Sequence, residues 1–369
     1  MRYVALFAFS AGLQLTAAQT IYDINTWDRT KLLTRASDPA INFVAKGAVG
    51  DADIVVSDTT DYQQMDGFGA TLTDSSALVL SQLKSKNLAN YNTVLSRLFN
   101  SADGAATAGF GILCLSLGAS DFSASAYSFE DTAGDSTFAN FSLDGAPAYL
   151  WSTLKDIVAV NPRIKLCVLP WSSPAWMKSP ASLNGGALQS QYNGVFAQYL
   201  FKTVQQLKAK GFAVYAINPQ NEPENPNATY PTTSMPYTQE AVVGQALRPL
   251  LDNNGVSSVK IIGFEHNWDH AGQYPVSLMS SAGGSFAGAA FHCYGGAVSN
   301  QDLSIGWTCR ILLQCISSFN TRECHKICMQ TEVYRIHFPN KVVYMSECAG
   351  TIGSDWWSDI KWYMDNVAR

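Results

Sequence analysis

Blocks of basic residues are missing from this chain, and with them the electrostatic footprint that nucleic acid or an anionic membrane surface requires. Charge of either sign is scarce: 14% of residues are Asp, Glu, Lys or Arg, against about 25% in an average domain. The 24 basic and 29 acidic side chains leave a formal net charge of −5, so no nucleic-acid partner is expected. Beyond the first residues, no apolar run reaches the roughly 18 needed to span a bilayer, and no stable membrane anchor is expected. No strand-like run is followed by G-x-G-x-x-G opening a helix, which sets aside a dinucleotide-dependent oxidoreductase. The nucleophile pattern G-x-S-x-G is also absent, which sets aside Ser-based hydrolysis. No short internal repeat or low-complexity tract occurs, so the chain is not a solenoid.

What is present suits a large apolar core under a polar, weakly charged surface. The 369 residues are 47% hydrophobic and 12% aromatic, enough for one barrel-sized domain or two smaller ones. Met1-Arg2-Tyr3, an apolar run on to Leu15 and the small residues Thr16-Ala17-Ala18 have the form of a secretory leader, cleaved before Gln19. The mature protein is therefore expected outside the cell, and as a monomer. The sequons at Asn140 and Asn227 fit that route. Of the eight cysteines, Cys114, Cys167, Cys293 and Cys348 lie in or beside apolar runs, where free buried thiols are expected. Cys309, Cys315, Cys324 and Cys328 crowd into one segment. Their spacing lacks paired C-x₂-C elements, so no metal site is expected there.

From Gln19 to about residue 65, short β-like pieces stand among Asp, Gly and Thr, which reads as a small N-terminal β side-structure. From Asp66, apolar strands alternate with helical stretches, the pattern of βα units around a parallel sheet. Seven strands are expected, at 67–72, 110–117, 164–169, 212–217, 259–263, 286–291 and 342–346. Helices are expected over 77–99, capped from Asp74-Ser75-Ser76, and over 147–160, 188–210 and 237–252. Seven βα units heading for an eighth predict a (β/α)₈ TIM barrel over 66–369. The sequence stops at Arg369 inside the expected seventh helix, so the barrel reads as C-terminally incomplete.

Two of the strands end in a glutamate. The apolar run 212–217 leads into Asn218-Pro219-Gln220-Asn221-Glu222-Pro223, and 342–346 leads directly into Glu347. In parallel barrels, groups just past the C-terminal strand ends carry the chemistry. The other loops on that rim offer Asp74, Asp121, Trp171, Trp176, Glu265-His266-Asn267-Trp268, His292 and Tyr294. Paired carboxylates among aromatics and amides are what glycosidic cleavage needs: one acid protonates the leaving oxygen while the other attacks the anomeric carbon. Trp171, Trp176, Trp268 and Tyr294 offer faces to sugar C–H groups, with core packing as the alternative for the tryptophans. Asn221 can hydrogen-bond a sugar hydroxyl.

Asp66-Gly67-Phe68-Gly69-Ala70-Thr71-Leu72-Thr73-Asp74, the run from Pro170 to Lys178 (PWSSPAWMK), Asn221-Glu222-Pro223 and Ser346-Glu347, taken together and in this order, resemble glycoside hydrolase family 30. The resemblance runs from about residue 40 to 369. It implies a retaining enzyme on a (β/α)₈ barrel with a side β-structure. Glu222 would match the acid/base and Glu347 the nucleophile, while Asp74, Trp171, Asn221, His292 and Tyr294 would line the glycone subsite. A β-linked glucan or glucoside is the implied substrate, as for endo-β-1,6-glucanases and glucosylceramidases; no cofactor is implied. The sequence departs from the family at Cys293, where many relatives carry an aromatic. It departs again over 303–337, read as an insertion with its four cysteines, and in the absence of an eighth strand. Those departures keep an inactive, truncated product or a carbohydrate-binding pseudo-enzyme as the alternative.

Overall fold

The computed structural model describes residues 65–296 except 104 and 106, residues 338 and 340–349, and the backbone of 22–24 and 34–36. The leader, the segment 303–337 with its four cysteines, and Trp356-Trp357 lie outside the described residues. The chain divides into two compact units, residues 1–61 and 62–369. In the first, β1 (Tyr22–Ile24) pairs antiparallel with β2 (Thr34–Ala36).

In the second unit, β3 (Gly69–Leu72) leads into two helices, α1 (Asp74–Lys86) and α2 (Leu88–Phe99), where the sequence predicted one. Asn87 makes the break: its N–H closes α1 on Leu83 while its side chain caps α2 through the Asn90 N–H at 2.9 Å. Asn competes well for cap positions and poorly for helix interiors. The cap of α1 is Thr73 rather than one of the three residues after it, in a reciprocal capping box with Ser76. There follow β4 (Ile112–Ser116), α3 (Ala148–Val160), β5 (Lys165–Leu169), the short hairpin β6 (Lys178–Ser179) and β7 (Ala187–Leu188), α4 (Asn193–Ala209), and β8 (Val214–Ile217). The series ends with α5 (Tyr237–Asn253), β9 (Lys260–Asn267), α6 (Tyr274–Ala282), β10 (Gly288–His292) and β11 (Val342–Glu347). Each expected strand is found.

The sheet runs β11-β10-β9-β8-β5-β4-β3, parallel throughout. Were it flat, its two edges would stand about 29 Å apart, six steps of roughly 4.8 Å. Instead, Tyr344 on β11 hydrogen-bonds Asp66, just before β3. The sheet is thus curled into most of a barrel. At the base of its interior, Asp66 also accepts from Tyr215 (2.9 Å) and Lys165 (3.0 Å), with Lys260 at 3.6 Å. Above them, Ala216, Ile262 and Ala290 form a small inner cluster, while the main core, with Leu115, Leu154, Leu200, Leu247 and Phe291, fills the layer between sheet and helices. Among the described residues, no helix is long and apolar enough to cross a membrane.

Candidate active site

The C-terminal strand ends converge on His292, the last residue of β10, which is fully buried. Its Nδ1 lies 3.0 Å from Glu222 Oε1 and 3.9 Å from Glu347 Oε1, and its Nε2 lies 3.4 Å from Glu265 Oε1. Through that shared nitrogen, the Glu222 and Glu347 oxygens are less than about 7 Å apart, within the range over which carboxylate pairs act on a glycosidic bond. Tyr294 donates to Glu347 Oε1 at 3.0 Å, and Asn225 donates to Glu222 Oε2 at 2.6 Å. Asn218 donates to Glu265.

Two of these acids reach the barrel mouth through irregular strands. Along β9, Lys260 and Ile262 face inward, so strict alternation would point Phe264 inward and Glu265 outward. Pairing with β10 skips Glu265, for Ala290 faces Phe264 while Phe291 faces His266. The extra residue reverses the parity. Phe264 packs outward on Tyr274 of α6, with ring centroids 5.1 Å apart, and Glu265 turns into the mouth. On β11, Phe291 pairs with Met345 and His292 with Glu347, so Ser346 is the extra residue and Glu347 is re-aimed in the same way. Glu222 lies beyond β8 with φ of +44°, and its N–H is held by the Glu265 carbonyl at 3.0 Å.

Burial alone would discharge His292, but Glu347, Glu222 and Glu265 around it outweigh that and push it up to about 10. It therefore carries its proton. Burial likewise works to raise Glu222, yet the His292 hydrogen bond and charge, with Asn225 and His266, leave it below the usual carboxylate value. Glu347 is raised, chiefly by burial, with the neighbouring Glu222 and Glu265 adding and His292 opposing. Among the described residues, Glu222, His266 and His292 are a donor set able to hold a cation, all three ligand atoms lying within 4.8 Å. A metal there would have to displace the His292 proton.

The other expected site residues are distributed unevenly. Asn221 is buried beside Glu222, its N–H bonded to Pro170 O at 2.8 Å, and its Oδ1 has no hydrogen-bond partner among the described residues. Trp171 is 5% exposed, and its carbonyl accepts from Gln220 at 2.7 Å, which keeps these two loops together. Asp74, first residue of α1, is engaged by Ser123 (2.6 Å) and Tyr127 (3.0 Å). Two aromatics are core residues instead of sugar platforms. Trp268 is buried and stacked on Phe291 at 4.1 Å, and Trp176 donates to the Glu130 carbonyl at 3.0 Å and packs edge-on to Tyr192.

Cys293 and Cys348 are joined in a disulfide, against the expectation of free thiols; they directly follow His292 and Glu347, so their proximity arises only once β10 and β11 are neighbours. Cys114 and Cys167 are free and face each other across β4 and β5. Residue-by-residue reading put Glu265 on the rim, from a run of Glu, His and Asn closing an apolar strand, but gave it no role, and it gave none to Asn218.

The family model of the glycosyl hydrolase family 30 TIM-barrel domain matches residues 65–310. The chain is similar to an endo-1,6-beta-D-glucanase of Neurospora crassa, 32% identical over 305 residues, covering 80% of this chain and 61% of that protein. It is also similar to the lysosomal acid glucosylceramidase of Mus musculus, 29% identical over 204 residues, 52% of this chain and 38% of that one. Among solved structures, an endo-beta1,6-glucanase superposes with a TM-score of 0.67 at 30% identity, over 89% of this chain and 65% of that chain. The chain thus spans less than two thirds of the length of each of these relatives.

Proposed function

The chain belongs to glycosyl hydrolase family 30, and from that premise we propose that it is a secreted, retaining β-glycoside hydrolase whose substrate is a β-1,6-linked glucan. The convergence of Glu222 and Glu347 on His292 Nδ1, at 3.0 and 3.9 Å, is the observation that carries this reading. Glu347 attacks the anomeric carbon to form a glycosyl ester as Glu222 protonates the leaving oxygen, and Glu222 then deprotonates the water that releases the sugar. The unpartnered Asn221 Oδ1 supports a role in binding a sugar hydroxyl beside Glu222. Names of the relatives support β-1,6-glucan over glucosylceramide, since the glucanase similarity covers more of the chain. The leader-like first 18 residues support secretion.

In the resting protein Glu222 is ionised ahead of Glu347, the reverse of what the first step needs. One proton is nevertheless held between His292 and Glu222. Its transfer along that 3.0 Å hydrogen bond gives neutral imidazole and a protonated Glu222 with no change of net charge. The pair, rather than either residue alone, is then the general acid.

Hydrolysis should be measured on a β-1,6-glucan, an aryl β-glucoside and glucosylceramide, with the first product's anomer followed by NMR. Retention is expected, on the glucan and the aryl glucoside. Glu347→Ala should lose all but about 10⁻³ of kcat and recover with azide as the inverted glycosyl azide, whereas Glu222→Ala should recover with retention. Inverted first product, or wild-type rates in both variants, would remove the assignment.

A further inference from the structure

Glu240 is fully buried on α5, away from the substrate face, and among the described residues its carboxylate has no cation beside it. Such a group is costly unless it is neutral or fully hydrogen-bonded. Its Oε1 accepts the Phe264 N–H at 3.1 Å. That amide belongs to the irregular turn of β9, where Phe264 and Glu265 have φ of +71° and +51° without being glycine. β8 pairs with β9 only as far as Ile261, so the strand beyond lacks that neighbour. The two backbone groups freed there are taken by two side elements: the Phe264 N–H by Glu240, and the Glu265 carbonyl by the N–H of Glu222.

Room for the carboxyl is built in. A Cβ on Gly263 would stand 2.4 Å from a Leu278 methyl of α6 and 3.1 Å from Glu240 Oε1, and one on Gly244, a turn along α5, would strike the Phe286 ring at 2.3 Å, so the missing side chains leave the space in which Leu278, Phe286 and the carboxyl pack. Tyr274 on α6 completes the group. It is hydrogen-bonded to Glu240, and its hydroxyl proton goes to Met235 O at 2.7 Å; the Met235 N–H in turn binds Pro223 O at 2.9 Å, next to Glu222. Burial pushes Glu240 up to about 7, against the hydrogen bonds of Tyr274 and the Phe264 N–H, which work to lower it.

We infer that Glu240 is a positioning residue for the reaction: its buried carboxyl holds the β9 irregularity that aims Glu265 at His292 and anchors the backbone of Glu222. This rests on the reading of Glu222 and Glu347 as the reacting pair. Gln in place of Glu240 keeps a carbonyl acceptor for the Phe264 N–H and a polar group of the same shape beside Tyr274. Leu keeps neither.

Full-length Glu240→Gln, Glu240→Leu and Tyr274→Phe should be compared for kcat and KM on an aryl β-glucoside, and for the titration of the His292 ring by NMR. Glu240→Gln should stay within about two-fold of wild type, while Glu240→Leu loses at least about ten-fold in kcat with KM little changed. In Glu240→Leu and Tyr274→Phe the His292 ring should titrate at lower pH, because its carboxylate neighbours are no longer held at the same distances. Folded Glu240→Leu with wild-type kcat and an unmoved His292 titration overturns the inference, as does Glu240→Gln falling as far as Leu. If Glu240→Leu does not fold, Tyr274→Phe decides: an unmoved His292 titration rejects the role. A wild-type protein that hydrolyses no β-glucoside would defeat the functional reading, and the His292 titration would still decide this one.

Discussion

His292 holds its proton because Glu222, Glu265 and Glu347 surround it, and under the proposed mechanism that sets how activity should depend on pH. On the acid side, kcat/KM falls as pH drops through the Glu347 value, which lies above the 4.5 of a free Glu. On the alkaline side, the acid is lost only when the His292–Glu222 pair gives up its proton, and His292 is raised to about 10. His292→Gln removes the pair and leaves Glu222 to hold the proton itself, so the alkaline limb should move to lower pH. A profile whose alkaline limb stays where it was would sink the shared-proton account. Glu222, Glu347 and His292 were legible from sequence because each closes or follows an apolar run. The ordering of their proton affinities was not, since it depends on distances among four residues from four strand ends.

Strands were legible as elements, because buried parallel strands read as continuous apolar runs. Their irregularities were not. Alternation along Lys260, Ile262 and Phe264, or along Val342, Tyr344 and Ser346, continues unbroken in the sequence, and only partner pairing shows that Glu265 and Glu347 face inward. The same reason hid the disulfide between Cys293 and Cys348, which are 55 residues apart and each set in an apolar context. That link fastens the ends of β10 and β11 just behind His292 and Glu347. Closing a loop of that length stabilises the fold by about 4 kcal/mol on a chain-entropy basis. Cys293→Ser with Cys348→Ser should therefore unfold at lower denaturant, and added reductant should lower the midpoint of the wild type but not of the double variant. Equal midpoints with and without reductant in the wild type would show that the link contributes nothing.

At the scale of the molecule, the curl of the sheet is secured where Asp66 meets Tyr215, Tyr344, Lys165 and Lys260. Burial works to raise Asp66, but those donors hold it far below the ordinary carboxylate range. With a depressed folded value, its contribution is full above the unfolded pKa of about 4 and declines from there until pH falls through the folded value. Asp66→Asn should cost about 3 kcal/mol at pH 7, and the gap to wild type in urea unfolding should begin to narrow as pH falls below about 4; a gap independent of pH would refute the ionic account. None of this was legible from sequence, where Asp66 read only as the start of a motif. Asp66 and Tyr344 are 278 residues apart, so the contact imposes an order on synthesis. At about 5–20 residues per second, a ribosome takes roughly 14 to 56 s to travel from one to the other. Over the last 84 residues of that interval the nascent chain has Asp66, Lys165, Tyr215 and Lys260 in hand but not the tyrosine that brings the far strand to them. Over that stretch its newest strand edge is unpaired and open to pairing with a neighbouring chain.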